Sequence, residues 1–123
     1  MKAAVANTHK GGMWSWLFQR VTAVLLIVCL AIHLILTHLA NIGQLDYSNV
    51  GRRVAHGGVT AVDIILLAAG IYHALNGLRM VLMDYWFTSR RRALALTIGL
   101  WVIGLAFMAY GTWALWPWIG YQG

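Results

Sequence analysis

The 123-residue chain has one cysteine, one proline and three acidic residues. The lone Cys29 excludes a disulfide within the chain and leaves no cysteine-based metal site, so in its apolar surroundings it reads as packing. Pro117 stands behind the last apolar run and ends it. With 9 basic and 3 acidic side chains, the chain lacks the charge of a water-soluble surface. Asp63 and Asp84 lie near the ends of apolar runs, so no carboxylate sits at mid-membrane, where small multidrug-type transporters bind cations. The opening M-K-A-A-V-A-N-T-H-K-G-G has no apolar core and is neither Arg-rich nor Ser-rich. The expectation is a short polar arm, not a removable targeting segment.

The residues present are those of a membrane protein: 61% are hydrophobic and the mean hydropathy is positive. The net charge of +6 does not imply nucleic acid, because the basic residues flank apolar runs and form no stripe; lipid head groups account for them. Three apolar runs, at about 16–40, 59–83 and 93–116, are each long enough to cross a hydrocarbon core of about 20 residues. The expected fold class is therefore an all-α membrane protein of three transmembrane helices. Trp14 and Trp16 stand at the entrance of the first run, and Trp113, Trp116 and Trp118 form a belt at the end of the third. Gly99, Gly104 and Gly111 offer close approach to another helix. Residues 41–58 make a polar connector whose middle suits a short surface helix, with Arg52, Arg53 and His56 solvated. Asp63 reads as a cap or an inter-helix hydrogen bond.

The chemistry concentrates in Y-H-A-L-N-G-L-R-M-V-L-M-D-Y-W, residues 72–86. At about 100° per residue, Leu66, Gly70, His73, Gly77, Met80 and Asp84 share one face. A histidine between glycines suits a flat, bulky ligand pressed on the helix, with the imidazole as axial nitrogen. The plainer reading is a hydrogen bond from His73 to a neighbouring helix. Ionisable groups inside a membrane are costly and usually functional, so both readings stand. From His73 to Asp84 is roughly 16 Å of helix, which joins a mid-depth position to an acid–phenol pair near one surface. In the first run Arg20 either snorkels outward or meets an anionic ligand group, and His33 and His38 point about 140° apart, too far round the helix to share one ligand. Three spans are too few to enclose a large cofactor, and a six-coordinate iron at His73 needs a second ligand from another chain.

H-A-L-N-G-L-R-M-V-L-M-D-Y resembles the second-span signature of the small hydrophobic membrane anchor of succinate dehydrogenase, a cytochrome b-type family. That signature is His73, Gly77, Asp84 and Tyr85 here. The resemblance extends to W-L-F-Q-R-V-T-A-V-L-L at 16–26, where Arg20 and Thr22 match, to G-Q-L-D-Y at 43–47 and to the three-span layout. It implies a single anchor domain over 1–123, half of a helical bundle completed by a second three-helix anchor. It also implies partnership with a flavoprotein and an iron–sulfur subunit, in a multi-pass protein of the bacterial inner membrane. In that family electrons from succinate pass along iron–sulfur clusters to a quinone, menaquinone or ubiquinone. The chain would then be a subunit of a succinate:quinone oxidoreductase that carries no catalytic residue of its own. By the same resemblance Tyr85 would donate to a quinone carbonyl and Asp84 would tune the site or deliver protons. His73 would ligate a b-type haem iron, and Arg20 and Arg79 would meet haem propionates, with a lipid phosphate the other partner open to Arg79. His33 departs from the single-haem pattern and lies where two-haem relatives carry a ligand, so one haem or two are implied; some anchors of the superfamily carry none. A quinol–fumarate reductase anchor fits the same residues. The competing classes are a small oligomeric membrane transporter and a cofactor-free structural anchor.

Topology follows from the basic residues. Lys2, Lys10 and Arg20 share a membrane face with Arg90, Arg91 and Arg92, against only Arg52 and Arg53 on the other. The N-terminus is thus expected in the cytoplasm and the C-terminus outside. Reporter fusions after Gly123 and within 41–58 should both read as external; a cytoplasmic signal after Gly123 would overturn this orientation.

Overall fold

The computed structural model describes residues 12–39, 46–86 and 89–119; Lys2, Lys10 and the G-Q-L part of the connector motif lie outside them. Helix α1 spans Gly12–Leu34 and continues as a π-helical turn over Ile35–Leu39. A short helix α2 covers Tyr47–Val54, α3 runs unbroken from Gly57 to Tyr85, and α4 runs from Arg90 to Leu115 before a 3-10 turn at Trp116–Trp118. Three of these helical stretches, 12–39, 57–85 and 90–118, are long and apolar enough to cross a membrane. All but the first stretch's far end run past the apolar bodies expected from the sequence, because continuing the helix keeps backbone groups bonded near lipid. At the start of α4, for example, the Arg92 N–H donates to the Ser89 side chain at 3.4 Å, and that cap brings Arg90–Arg92 into the helix.

The connector does form a helix, and it is tied down. Arg53, expected to be solvated, donates from Nη1 to the Thr37 carbonyl at 2.8 Å. That carbonyl belongs to the π-helical turn. The same turn changes the relation of His33 to His38. Residues five apart diverge on an α-helix, but a π-turn aligns i with i+5, and the two rings lie 6.4 Å apart, edge to face. Thr60 donates to the Val54 carbonyl, and Tyr47 packs its ring 5.0 Å from Trp118, so α2 joins the end of α1, the start of α3 and the end of α4. At the head of α2, the Ser48 hydroxyl and then the Tyr47 N–H hold the exposed Asp46 below the ordinary carboxylate range.

The three long helices run up, down and up, and α3 is the central one: α1 and α4 each pack on it. The α1–α3 pairing is antiparallel, since Ser15 meets Asn76 at one end and His33 meets Asp63 at the other. The α3–α4 pairing is antiparallel as well. A side chain at Gly104 would lie 2.9 Å from Leu75, and one at Gly111 2.5 Å from Leu67. Gly99, by contrast, has open space around it. Among the described residues, the buried apolar side chains are Cys29, Ala69, Ala93 and Leu100, and the buried polar ones are Thr22, Thr60 and Asn76. A core holding nearly as many polar as apolar side chains, under an apolar exterior, is the arrangement lipid favours.

Gly111 gives a direct measure of the α3–α4 contact. A Cβ there meets Leu67 at Cδ2, Cδ1 and Cγ, so the whole leucine must move. Gly111→Ala should cost about 1–3 kcal/mol, read as a lower thermal midpoint of the purified protein in detergent. Adding Leu67→Ala should recover part of the loss. Equal midpoints for Gly111→Ala and the wild type would show that the helices do not meet there.

Candidate functional site

His73 sits on the α1 side of α3, in a seam of neutral hydrogen bonds. Its Nδ1 is 3.2 Å from the Thr22 hydroxyl and its Nε2 is 3.4 Å from the Gln19 side-chain nitrogen. Gln19 also donates from Nε2 to the His73 carbonyl at 3.1 Å. Its Oε1 accepts from Asn76 Nδ2 at 2.8 Å. Asn76 donates as well to the Ser15 carbonyl at 3.2 Å and accepts from the Ser15 hydroxyl at 2.6 Å. Thr22 donates to the Phe18 carbonyl at 2.7 Å.

The helix geometry explains why these residues meet. Ser15, Gln19, Thr22, Leu26, Cys29 and His33 recur in steps of four and three, the spacing of two helices that pack side by side. On α3 the matching line is Asp63, Gly70, His73 and Gly77, with Asn76 beside it. The glycines admit α1 itself: a Cβ on Gly77 would stand 3.2 Å from the Gln19 amide, and one on Gly70 3.7 Å from Leu26. In this chain, then, the glycine-flanked face expected to take a flat ligand is the contact face of the first span.

His33 joins the same seam farther along. Its Nδ1 lies 2.7 Å from Asp63 Oδ1, with both side chains largely enclosed, so the inter-helix role open to Asp63 is an imidazole–carboxylate pair. Arg20 is exposed, with its guanidinium 4.5 Å above the Trp16 ring, and Arg79 donates from Nε to Thr97 of α4 at 3.0 Å. Arg79 lines a groove of about 490 Å³ with Ser15, Phe18, Tyr72, Asn76 and Trp101. Arg79 thus faces α4, whereas His73 faces α1. Asp84 and Tyr85 lie exposed at the end of α3, Tyr85 at 79%, and neither hydrogen-bonds another side chain among the described residues.

The donor set at His73 fits one axial bond to a metal. Its ring nitrogens meet only a hydroxyl and an amide, neutral groups that yield to a cation, and no charged side chain among the described residues touches it. No group of three or more metal-ligating side chains occurs among the described residues. Sequence reasoning had Thr22 only by resemblance and missed Ser15, Gln19 and Asn76. The signal that finds Ser15 and Gln19 is the four-and-three spacing of polar residues along 15–22; Asn76 stands three residues after His73, one turn along the same helix.

The chain matches the family model described as succinate dehydrogenase/fumarate reductase transmembrane subunit over residues 4–113. It is 30% identical over 97 residues to the succinate dehydrogenase 2 membrane subunit SdhC of Mycobacterium tuberculosis, covering 79% of this chain and 69% of that protein. Against the succinate dehydrogenase hydrophobic membrane anchor subunit of Archaeoglobus fulgidus it is 39% identical over 70 residues, covering 57% and 60%. With the subunit of the same description from Rickettsia felis it shares 32% over 84 residues, covering 68% of each. No solved structure matches it. Matched from residue 4 to residue 113 and built of three membrane-length helices, the chain belongs to the family of succinate dehydrogenase/fumarate reductase transmembrane subunits.

Proposed function

We propose that the chain anchors a succinate:quinone oxidoreductase in the cytoplasmic membrane, binds b-type haem through His73 and forms part of a quinone site at Tyr85. The observation that carries this reading is α3 itself. One unbroken helix holds His73 among neutral partners at mid-span and delivers to its end Asp84 and Tyr85, which have no side-chain partner among the described residues. Membership of the family sets aside the transporter alternative, and the residues act alike in succinate oxidation and fumarate reduction. The flavoprotein, the iron–sulfur subunit and a second three-helix anchor are the proposed partners.

A b-type haem supplies one-electron storage between the iron–sulfur chain and the quinone. The residues of this chain do the holding. His73 would hold the haem iron through a ring nitrogen, and the partner anchor would supply a further ligand. Arg20 and Arg79, neither facing a carboxylate among the described residues, are proposed for the propionates. His33 is proposed as ligand of a second haem: Asp63 engages its Nδ1, the arrangement that orients a ligating imidazole through its other nitrogen. At the end of α3, the Tyr85 phenol donates to a quinone carbonyl, a bond that strengthens as reduction builds charge on the oxygen. Asp84, beside it and open to water, passes protons.

In the purified complex, His73→Ala should abolish or convert the low-spin haem spectrum while the subunits still assemble. If two haems are present, the haem-to-flavin ratio is near two and His33→Leu removes one redox transition. An unaltered haem spectrum in assembled His73→Ala complex would refute the ligand role. Tyr85→Phe removes only a hydroxyl. If its bond contributes about 1.4–3 kcal/mol at the transition state, quinone reduction should fall roughly 10- to 150-fold. Succinate oxidation by a soluble acceptor should continue. Wild-type quinone turnover in Tyr85→Phe would return the residue to the interfacial aromatic belt.

A further inference from the structure

The protons along the seam can be assigned one by one. Backbone carbonyls only accept. Asn76 Nδ2 meets the Ser15 carbonyl and Gln19 Nε2 meets the His73 carbonyl, so the orientation of both amides is fixed. The Thr22 hydroxyl has one hydrogen. The Phe18 carbonyl takes it at 2.7 Å, with the Gln19 carbonyl sharing at 3.2 Å. What Thr22 has left for His73 Nδ1, at 3.2 Å, is a lone pair. That contact needs a proton on Nδ1. The other nitrogen, Nε2, is then bare and faces the N–H of Gln19 at 3.4 Å, which agrees with the amide orientation reached independently.

We infer that Thr22 is a positioning residue for His73: its hydroxyl holds the imidazole in the Nδ1–H form and thereby selects Nε2 as the nitrogen offered to a metal. The inference rests on the haem reading above and adds to it the residue that orients the ligand. In a neutral imidazole the bond made by one nitrogen decides the state of the other. Thr22 is buried, at 8% exposure, so water is poorly placed to substitute for its hydroxyl. Gln19 has the complementary part. Its contact with Nε2, at 3.4 Å, is the longer of the two that the imidazole makes, and its three side-chain torsions let the amide swing off the lone pair. Thr22, hydrogen-bonded to its own helix, stays.

The test uses Thr22→Val, which keeps the shape and removes the oxygen, with Thr22→Ser as the conservative rescue and Thr22→Ala in case valine disturbs the fold. The first readout needs no haem: nitrogen NMR of the full-length, histidine-labelled, haem-free chain in lipid bilayers, with the His73 signals identified by their loss in His73→Ala. Wild type and Thr22→Ser should carry the proton on Nδ1, and Thr22→Val and Thr22→Ala should shift it to Nε2 or to a mixture. The second readout is haem retention by the assembled complex. Loss of the orienting partner should weaken it about 10- to 100-fold in Thr22→Val, with Thr22→Ser close to wild type. An Nδ1 proton that persists in Thr22→Val overturns the inference. So does a shifted proton with wild-type haem retention, in a background where His73→Ala loses the haem. If His73→Ala leaves the haem untouched, it is the ligand reading that fails, and the NMR result still decides whether Thr22 sets the tautomer.

Discussion

Between helices in lipid there is little hydrophobic drive, because the acyl chains are as apolar as leucine; what sets their register is close packing and hydrogen bonds. In this chain that task falls to the bonds among Ser15, Gln19, Thr22, His73 and Asn76. Individually such bonds average about 0.6 kcal/mol in a bilayer and reach about 1.7. Their value is directional. A slide of α1 along α3 by one turn would strand two amides and an imidazole at once, so a few modest bonds select a single register. His73 is therefore held in place by the same interactions that fix how the first two spans pack.

The central position of α3 follows from its two faces. Toward α1 it presents Gly70, His73, Asn76 and Gly77, small or polar, so that a second backbone can come near. Toward α4 the roles reverse: Leu67, Ile71 and Leu75 project from α3, and the glycines that receive them, Gly104 and Gly111, belong to α4. One pairing is polar and directional, the other steric. A helix held in this way from both sides makes a firm lever, and its free end carries Asp84 and Tyr85 with no internal partner among the described residues.

Much of this was legible in the residues. Apolar run length gave three spans, and the polar connector gave a short helix between the first two. The shared face of His73, Gly77 and Asp84 was visible from the 3.6-residue period. What escaped was pairwise. Ser15, Gln19 and Asn76 are unremarkable singly in a hydropathy profile and acquire meaning only when the two helices are set side by side. The glycines of the His73 face were assigned to a ligand because a one-dimensional pattern shows that space exists but not what fills it. The π-turn was missed for another reason. Its Thr37 carbonyl accepts from Arg53 of α2, a contact between segments that no local propensity encodes. That turn is also why His33 and His38, expected to diverge, stand ring to ring.

The charges inside the spans point past the single chain. Burying a cation in a membrane is expensive unless it is paired or reaches an interface. Of the ionisable groups within the helices, His33 has Asp63, but among the described residues Arg20 has only the face of Trp16 and Arg79 only the Thr97 hydroxyl. The chain has three acids in all, and neither Asp46, beside Ser48 at the head of α2, nor Asp84, exposed at the end of α3, closes on either arginine. Neutral contacts of this kind do not offset the cost that a guanidinium below the head groups would carry. Anionic groups brought by something else do, and propionates of a bound cofactor or lipid phosphates have that chemistry. Arg20 and Arg79, facing no carboxylate among the described residues, are thus open to such groups. Under the proposed function, such groups belong to the cofactor, lipid and partner subunits proposed to assemble around the chain.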